Sequence, residues 1–258
     1  MPDDLLFEIV DGVAWVTFNR PDVRNAVSAE MADALTERCG QVASDPSIRV
    51  MVLKGAGDRA FASGADLDEQ RSLVDESTWR VFLARWARTF EAVETLPRPT
   101  IAAIQGACVG GGATLANCCD FRIAAPNSKY GYSNARVSGG GFSRGNIVRL
   151  VALVGVSEAT RMLLTGKTLS AAEALAAGAF SEVTQTDEVL LARVRELAAE
   201  LANNAPITMR TAKATILGLQ QPIPGDNFGP ALEAYMSADF QEGLAAFRAK
   251  RKPRWQGV

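Results

Sequence analysis

Short apolar runs that end in glycine and then give way to a helical pattern recur along this chain, and they limit its fold more than any other feature. Val50-Met51-Val52-Leu53 enters Gly55-Ala56-Gly57, and Thr100-Ile101-Ala102-Ala103-Ile104 enters Gly106. Each run reads as a short buried strand, and a helical pattern follows each. Strand–helix units repeated in this way argue for crossover connections and a spiral of sheets, not for a sandwich.

The rest of the chain fits that layout. Val13-Ala14-Trp15-Val16-Thr17-Phe18 reads as a strand closed by the turn Asn19-Arg20-Pro21-Asp22. Ser28 is placed to cap a helix carrying Met31, Leu35 and Val42 on one face. A helix around 81–93 precedes the breakers Pro97 and Pro99. A short helix running to Asp120 leads into the strand Phe121-Arg122-Ile123-Ala124. Beyond about residue 145 the strand signal nearly vanishes. Ser170 and Glu173 form a capping box, and Leu190, Val194, Leu197 and Leu201 mark an amphipathic helix. Pro206 suits the first turn of another helix, and 218–225 reads as a loop. A last helix carries the basic end Phe247-Arg248-Ala249-Lys250-Arg251-Lys252-Pro253-Arg254. The expected division is a core over 1–200 and a helical C-terminal region over 201–258.

Composition removes several functions. The 258 residues carry a formal net charge of −2, which gives no global attraction to nucleic acid. No apolar run approaches the ~18–20 residues needed to span a bilayer, and the beginning Met1-Pro2-Asp3-Asp4 has no secretory pattern. Cys39, Cys108, Cys118 and Cys119 lack framework or zinc-ligand spacing, so reduced thiols in a cytoplasmic protein with no bound metal are expected. There is no histidine. That excludes Ser-His-Asp and Cys-His nucleophile systems, and leaves acid–base work to Asp, Glu, Tyr, Lys, Cys or water.

Two glycine turns carry the chemistry: Phe61-Ala62-Ser63-Gly64-Ala65-Asp66-Leu67, and Gly106-Ala107-Cys108-Val109-Gly110-Gly111-Gly112 leading into a helix. The second lacks the Gly-x-Gly-x-x-Gly register of a dinucleotide loop. Leu164-Thr165-Gly166-Lys167-Thr168 resembles the end of a Walker A loop, but Arg161 stands where its first glycine is required, so Gly166 reads as a helix terminator. Taken with Asn19-Arg20-Pro21, Arg24-Asn25-Ala26, Asp120 and Lys250-Arg251-Lys252-Pro253, the two turns fall in the order and spacing of the enoyl-CoA hydratase/isomerase (crotonase) family. The resemblance covers nearly the whole chain.

The resemblance implies an α/β crotonase-like spiral of repeated ββα units with a helical C-terminal arm. It also implies a homotrimer or dimer of trimers, and an acyl-CoA thioester as ligand, with coenzyme A part of the substrate rather than a separate cofactor. It places the backbone N–H groups of Ala65 and Gly111 as an oxyanion hole, a device suited to the enolate that forms when a thioester reacts at its α-carbon. Gly111 would also open a helix, where free N–H groups and the positive dipole end favour an anion. Arg24, Ala26, Ser63, Gly64, Asp66, Leu67 and Tyr132 are implied as further substrate contacts. Phe247 and Lys250 are implied to reach a neighbouring subunit's CoA, the ring against the base and the ammonium against phosphate.

The same resemblance exposes a gap. The positions at which family hydratases carry their two glutamates are Thr114 and Asn134 here, and no glutamate lies between Glu94 and Glu158. Neither side chain exchanges a proton near neutral pH, although both hydrogen-bond. Three readings follow: a lyase (hydratase or decarboxylase-like) or isomerase working through other groups, a silent acyl-CoA-binding protein of the same fold, or a contact module using its basic end. Asp66 is either a catalytic carboxylate or a helix cap. Tyr130 and Tyr132 are either donors to the ligand or ordinary pocket wall. Arg144 either pairs with an acidic acyl group or is solvated.

Overall fold

The computed structural model describes residues 4–70, 73, 75–136, 141–219, and then 238, 239, 242, 246, 249, 251 and 253–258. Strands β1 (Leu5–Val10) and β2 (Val13–Phe18) form an antiparallel hairpin through Asp11 and Gly12, both at positive φ, and α1 (Ala29–Ser44) follows. The chain then repeats one pattern, two strands and a helix. β3 (Val50–Gly55) and β4 (Ala60–Ala62) lead to the single turn α2 (Leu67–Gln70) and to α3 (Glu76–Glu94). β5 (Thr100–Ile104) and β6 (Ala107–Val109) lead to α4 (Gly111–Cys118). β7 (Phe121–Ala124) and β8 (Lys129–Gly131) lead to α5 (Arg144–Thr165). The short β9 (Leu169–Ser170), α6 (Ala171–Ala176) and β10 (Glu182–Val183) precede α7 (Leu190–Ala202) and α8 (Pro206–Gly218).

The first strand of each repeat joins one sheet, ordered β1-β2-β3-β5-β7-β10, which is parallel from β2 onward; the second strands join another, ordered β4-β6-β8-β9. The central strands β2, β3 and β5 of the larger sheet are buried on both faces, which explains their apolar runs. Ala14, Val16, Phe18, Met51, Leu53, Ala102 and Ile104 face the core shared with α1, α3 and α4. Trp15, Val50, Val52, Ile101 and Ile123 face α7, whose Leu190, Val194, Leu197 and Leu201 form the covering stripe expected from their spacing. At about 25 cal/mol per Å² of apolar area removed from water, each such side chain contributes roughly 1.5–3 kcal/mol.

Local signals hold where they were read. Ser28 Oγ accepts from the Met31 N–H at 3.2 Å, Ser170 and Glu173 form a reciprocal capping box, and Gly166 ends α5 at φ 61°. Two boundaries differ from expectation. Ala107–Val109, read as part of a turn, is strand β6. The division at 200/201 falls inside the last turn of α7. Gly218 closes α8, and the rest of the expected 218–225 loop, apart from Leu219, lies outside the described residues. A half-buried side-chain network fixes α8 to the core: Asp120 Oδ2 accepts from the Thr100 N–H, the Thr100 hydroxyl and Lys213 Nζ at 2.8–2.9 Å.

Candidate functional site

β4 and β6 pair in parallel, so the two glycine turns that follow them emerge side by side although 46 residues separate Ala65 from Gly111. A register shift at Phe61, with Ala60 opposite Ala107 and Ala62 opposite Cys108, re-aims the end of β4 there. The backbones then come into contact. A methyl built on Gly64, which sits at φ 103°, would lie 2.9 Å from the Gly111 nitrogen; one on Gly112 would lie 2.1 Å from the Ala62 carbonyl oxygen. Only glycine allows that approach. Gly112 is therefore required by packing, beyond any part it plays in exposing backbone to a ligand.

The Val27–Ala65 bridge consumes the groups on either side of the Ala65 nitrogen: Val27 N–H donates to Gly64 O at 2.9 Å, and Asp66 N–H to Val27 O at 3.0 Å. Among the described residues, neither the Ala65 N–H nor the Gly111 N–H donates to a protein group. Gly111 is the first residue of α4, where intrahelical partners are lacking by construction. Two free donors beside a helix's positive end are suited to an oxygen that carries or develops negative charge.

The surroundings are held rigidly. Asn25, buried in a left-handed conformation, accepts from the Arg20 N–H and donates to Ala56 O and Ala60 O at 2.7–3.0 Å. This fixes the 19–27 loop, leaves Arg24 exposed, and half-buries Ala26, whose carbonyl accepts from Arg20 Nη1. Asp66 is engaged on both oxygens: Oδ2 accepts from Arg20 Nη1 at 2.7 Å and Oδ1 from the Asp68 N–H at 2.9 Å. Burial alone would raise its pKa, but Arg20 and the N–H groups at the start of α2 outweigh it and hold the carboxyl below its ordinary value. The capping role is the one Asp66 fills. Ser63 is half-buried, its N–H on Arg24 O, and Leu67 is exposed at the start of α2.

Behind Gly111 a different kind of chemistry is laid down. α4 is buried almost all round, and its polar residues Thr114 and Asn117 share one face at i, i+3. Tyr130 Oη donates to Asn117 Oδ1 at 2.8 Å, and Asn117 Nδ2 donates to Tyr132 Oη at 3.0 Å. Tyr132 Oη meets Thr114 Oγ1 at 3.2 Å, and Thr114 Oγ1 reaches Gly110 O at 3.4 Å. Every hydroxyl and amide in this chain of contacts has a partner. Burial pushes both phenols well above their ordinary range, so they stay protonated throughout the neutral range. Asn134 is half-buried and interacts with its surroundings, and Phe142 stacks edge-on to Tyr132 with centroids 5.5 Å apart.

One wall was not anticipated from sequence. Trp86 of α3 is buried, with Cη2 3.4 Å from the methyl position on Gly111. It belongs to a continuous aromatic row, Trp79–Phe82–Trp86–Phe90, with successive centroids 5.1–6.3 Å apart. The spacing of these residues along one helix was the available signal. Beside the row opens a cleft of about 390 Å³ lined by Ala29, Glu69, Leu73, Val81, Phe82 and Arg85. Ala65 and Gly111 do not line it; the N–H pair, not this hollow, defines the candidate site.

Asp120 is taken up by Thr100 and Lys213, and the glutamates nearest in sequence are committed elsewhere too. Glu94 is held by Arg149 through two bonds of 2.7 and 2.6 Å, and Glu158 pairs with Arg161. Arg144 is exposed in the first turn of α5. Phe247 and Lys250 lie outside the described residues, as do 137–140 of the glycine-rich stretch. No group of His, Cys, Asp and Glu suited to a metal ion occurs among the described residues.

Comparison with known proteins decides the family. The sequence profile of the enoyl-CoA hydratase/isomerase family matches residues 8–258. The chain belongs to the enoyl-CoA hydratase/isomerase family. It is 32% identical to a crotonyl-CoA hydratase of Syntrophomonas wolfei over 97% of this chain and 96% of that protein. It is 34% identical to the (E)-benzylidenesuccinyl-CoA hydratase of Thauera aromatica over 97% and 98%. The solved enoyl-CoA hydratase/carnithine racemase of Magnetospirillum magneticum superposes with a TM-score of 0.93 at 35% identity, over 100% of this chain and 97% of that one. The crotonase fold expected from the sequence is thus the fold of this family member, and the family acts on acyl-CoA thioesters. No helix among the described residues is long and apolar enough to cross a membrane.

Proposed function

We propose that the protein binds an acyl-CoA thioester with its carbonyl oxygen between the Ala65 and Gly111 N–H groups and promotes a reaction that passes through the enolate. The observation that carries this reading is the pair of adjacent, unbonded backbone donors at the start of α4. As rigid dipoles that cannot titrate, they stabilise charge where it develops. Arg24, Ala26, Ser63, Gly64 and Leu67 border the approach. Trp86 and Tyr132 supply apolar and phenolic wall.

An ordinary hydration mechanism does not fit this set. Adding water across a double bond needs a base for the water and an acid for the α-carbon. At the positions where family hydratases carry glutamate, this chain has Thr114 and Asn134. A lyase reaction of the decarboxylase type, or an isomerisation using water, requires less of the protein. In decarboxylation the bond to the carboxylate breaks, its electron pair becomes the enolate, CO₂ leaves, and the enolate later takes a proton from water.

A second reading, a silent acyl-CoA-binding protein, is favoured by the closed Tyr130–Asn117–Tyr132–Thr114 network, in which no group changes charge near neutral pH. Identification of thioesters that copurify with the protein, followed by product analysis on each, separates the two. Turnover of the bound thioester supports the enzyme; retention without product supports the binder.

The working unit on this reading is a homotrimer or dimer of trimers, in which Phe247 and Lys250 cover a neighbour's CoA. Exposed apolar side chains on α5 and α8, Val156, Leu164 and Ile216, supply contact surface for such packing. Four free, buried cysteines support a reducing, cytoplasmic setting. Light scattering that gives a monomer still binding CoA tightly would remove the neighbour from the site.

A further inference from the structure

Three arginines from distant segments converge on one small cavity at the opposite edge of the larger sheet from the glycine turns. Arg49 immediately precedes β3, Arg98 lies just before β5, and Arg210 is on the first turns of α8. All three line a cavity of about 70 Å³, closed on other sides by Pro206 and Gln256. The glycine turns follow β4 and β6, which the chain enters beyond the far ends of β3 and β5; Gly55 at the end of β3 packs against Ala60 and Phe61. At ~3.3 Å per residue the six residues of β3 alone put about 20 Å between the two places. One bound thioester on one subunit's turns does not fill this cavity.

Two of the guanidinium groups are pre-set by backbone carbonyls, and Arg210 is engaged with its own surroundings. Arg98 donates from Nε to Ile48 O at 2.8 Å and from Nη1 to Pro97 O at 3.0 Å, and Arg49 donates from Nη2 to Asn204 O at 3.0 Å. Each guanidinium carries five N–H donors, so these bonds orient Arg49 and Arg98 and leave further donors on both for a ligand. Burial and then the charges of Arg49 and Arg210 lower the pKa of Arg98, the signature of like charges held together. Asp45 offsets this in part, and its Oδ1 also accepts from the Ser47 N–H and hydroxyl at 2.8 and 2.6 Å. No acidic side chain is among the described lining residues.

α8 adds to the same field. It begins at this cavity with Pro206 in its first turn, and its N-cap is Ala205, which offers no side-chain acceptor. The positive end of a 13-residue helix therefore faces the three cations without a cap. A single water needs about 10–15 Å³ of such space, so the cavity has room for a compact four-oxygen ion.

We propose that this cavity is a binding site for a free tetrahedral oxyanion of the inorganic phosphate class, clipping the start of α8 and the 256–257 segment to the N-terminal edge of the larger sheet. The site is independent of the thioester reading and stands or falls separately from it.

Titration calorimetry of the full chain with sodium phosphate, against sodium chloride at equal ionic strength, tests this without any variant. One saturable phosphate per chain and a rise in melting temperature over the chloride control are expected. Arg98→Gln and, separately, Arg210→Gln should weaken that binding at least about tenfold, since each removes a charge-assisted contact, while CoA affinity stays unchanged. Arg210→Gln serves where Arg98→Gln, which also loses its bond to Ile48 O, fails to fold. Absence of saturable phosphate binding overturns the proposal, and so does undiminished, wild-type affinity in the folded variants. Binding of glycerol phosphate but not of inorganic phosphate overturns the assignment to a free ion.

Discussion

Replacing Gly111 by alanine tests the N–H pair without touching any donor. The added methyl lies 3.3 Å from the Ala65 nitrogen, 3.4 Å from Gly64 Cα and 3.4 Å from Trp86 Cη2. None of these contacts requires more than a few tenths of an ångström of adjustment, and alanine is at least as good as glycine in a helix. The fold should therefore survive. The methyl nevertheless crowds the space an oxygen must enter to sit about 2.7–3.1 Å from both nitrogens. Loss of even one such donor costs about 10²–10³ in kcat, or ~2.7–4 kcal/mol. The expected result for Gly111→Ala is thus at least a hundredfold fall in turnover of the copurifying thioester, with circular dichroism and Tm close to wild type. If the protein proves to be a binder, the readout becomes the red shift of a bound cinnamoyl-CoA chromophore, which reports carbonyl polarisation and should disappear. A folded Gly111→Ala protein with undiminished turnover, or with the full red shift, would falsify the assignment of this pair. Gly111→Pro makes the same point by a second route, since it deletes the N–H at a helix position that tolerates proline.

Other outcomes follow from particular contacts. Native hydration of crotonyl-CoA should be very weak, and Thr114→Glu with Asn134→Glu should raise it by at least about tenfold, because paired acid and base groups are each typically worth about 10²–10⁴; brisk native hydration would refute this, as would a folded, substrate-binding double variant with no gain. Tyr132→Phe removes the acceptor for Asn117 Nδ2 in a buried setting, and denaturant unfolding should show a loss of about 1–3 kcal/mol; no loss would mean that the amide finds water instead. Asp66 has a depressed folded-state pKa, so its ion pair with Arg20 contributes stability fully above the ordinary carboxyl value of 3.8 and loses it as pH falls below that value through the folded pKa; Asp66→Asn should flatten the acid limb of the stability profile there and leave neutral pH kinetics nearly unchanged. Lys250→Ala should weaken CoA binding, more so at low salt, and equal calorimetric affinities would take the basic end out of the site.

The sequence makes the central strands of the larger sheet legible because they are buried on both faces and mostly apolar, whereas the exposed edge strand β1 and the two-residue β10 carry no such signal. Val13–Phe18, Thr100–Ile104 and Phe121–Ala124 come through as read, and so does the leucine stripe of α7. The smaller sheet is hard to see. β4, β6 and β8 have three residues each, too few to establish a period, and β6 is flanked by glycines that signal a turn. Yet this sheet brings Ala65 to Gly111, so the contact was available only through family resemblance. Trp86 was missed because a lone tryptophan on an amphipathic helix reads as core; only the 79–82–86–90 aromatic spacing hinted at a row ending at the site. Asn25 was quoted as part of a motif without a role. Its left-handed backbone and three hydrogen bonds are properties of a folded loop that no local pattern reports.

The Tyr130–Asn117–Tyr132–Thr114 network bears on what the site is for. Had Thr114 merely replaced a carboxylate in an otherwise hydratase-like pocket, its hydroxyl would face space shaped for a water and a second acid. Instead Tyr132 brings a phenol to 3.2 Å from it, Asn117 Nδ2 donates to that phenol, and Tyr130 in turn donates to Asn117 Oδ1. A buried network with every member paired is stable as it stands, and adding a charge to it is costly. Such a wall holds neutral hydrogen-bonding groups beside the N–H pair and gives no proton acceptor near neutral pH. On the proposed reading, the reaction that suits it is one in which the substrate itself supplies the electron pair, as a leaving CO₂ does, with the two backbone donors placed to stabilise the enolate. Thr114→Glu then carries a further expectation. The new carboxylate must displace or bond the Tyr132 hydroxyl, so adding Tyr132→Phe to the double glutamate variant should increase hydration again. If that third change lowers hydration instead, the phenol is a working donor, and the network is part of the chemistry and not only its wall.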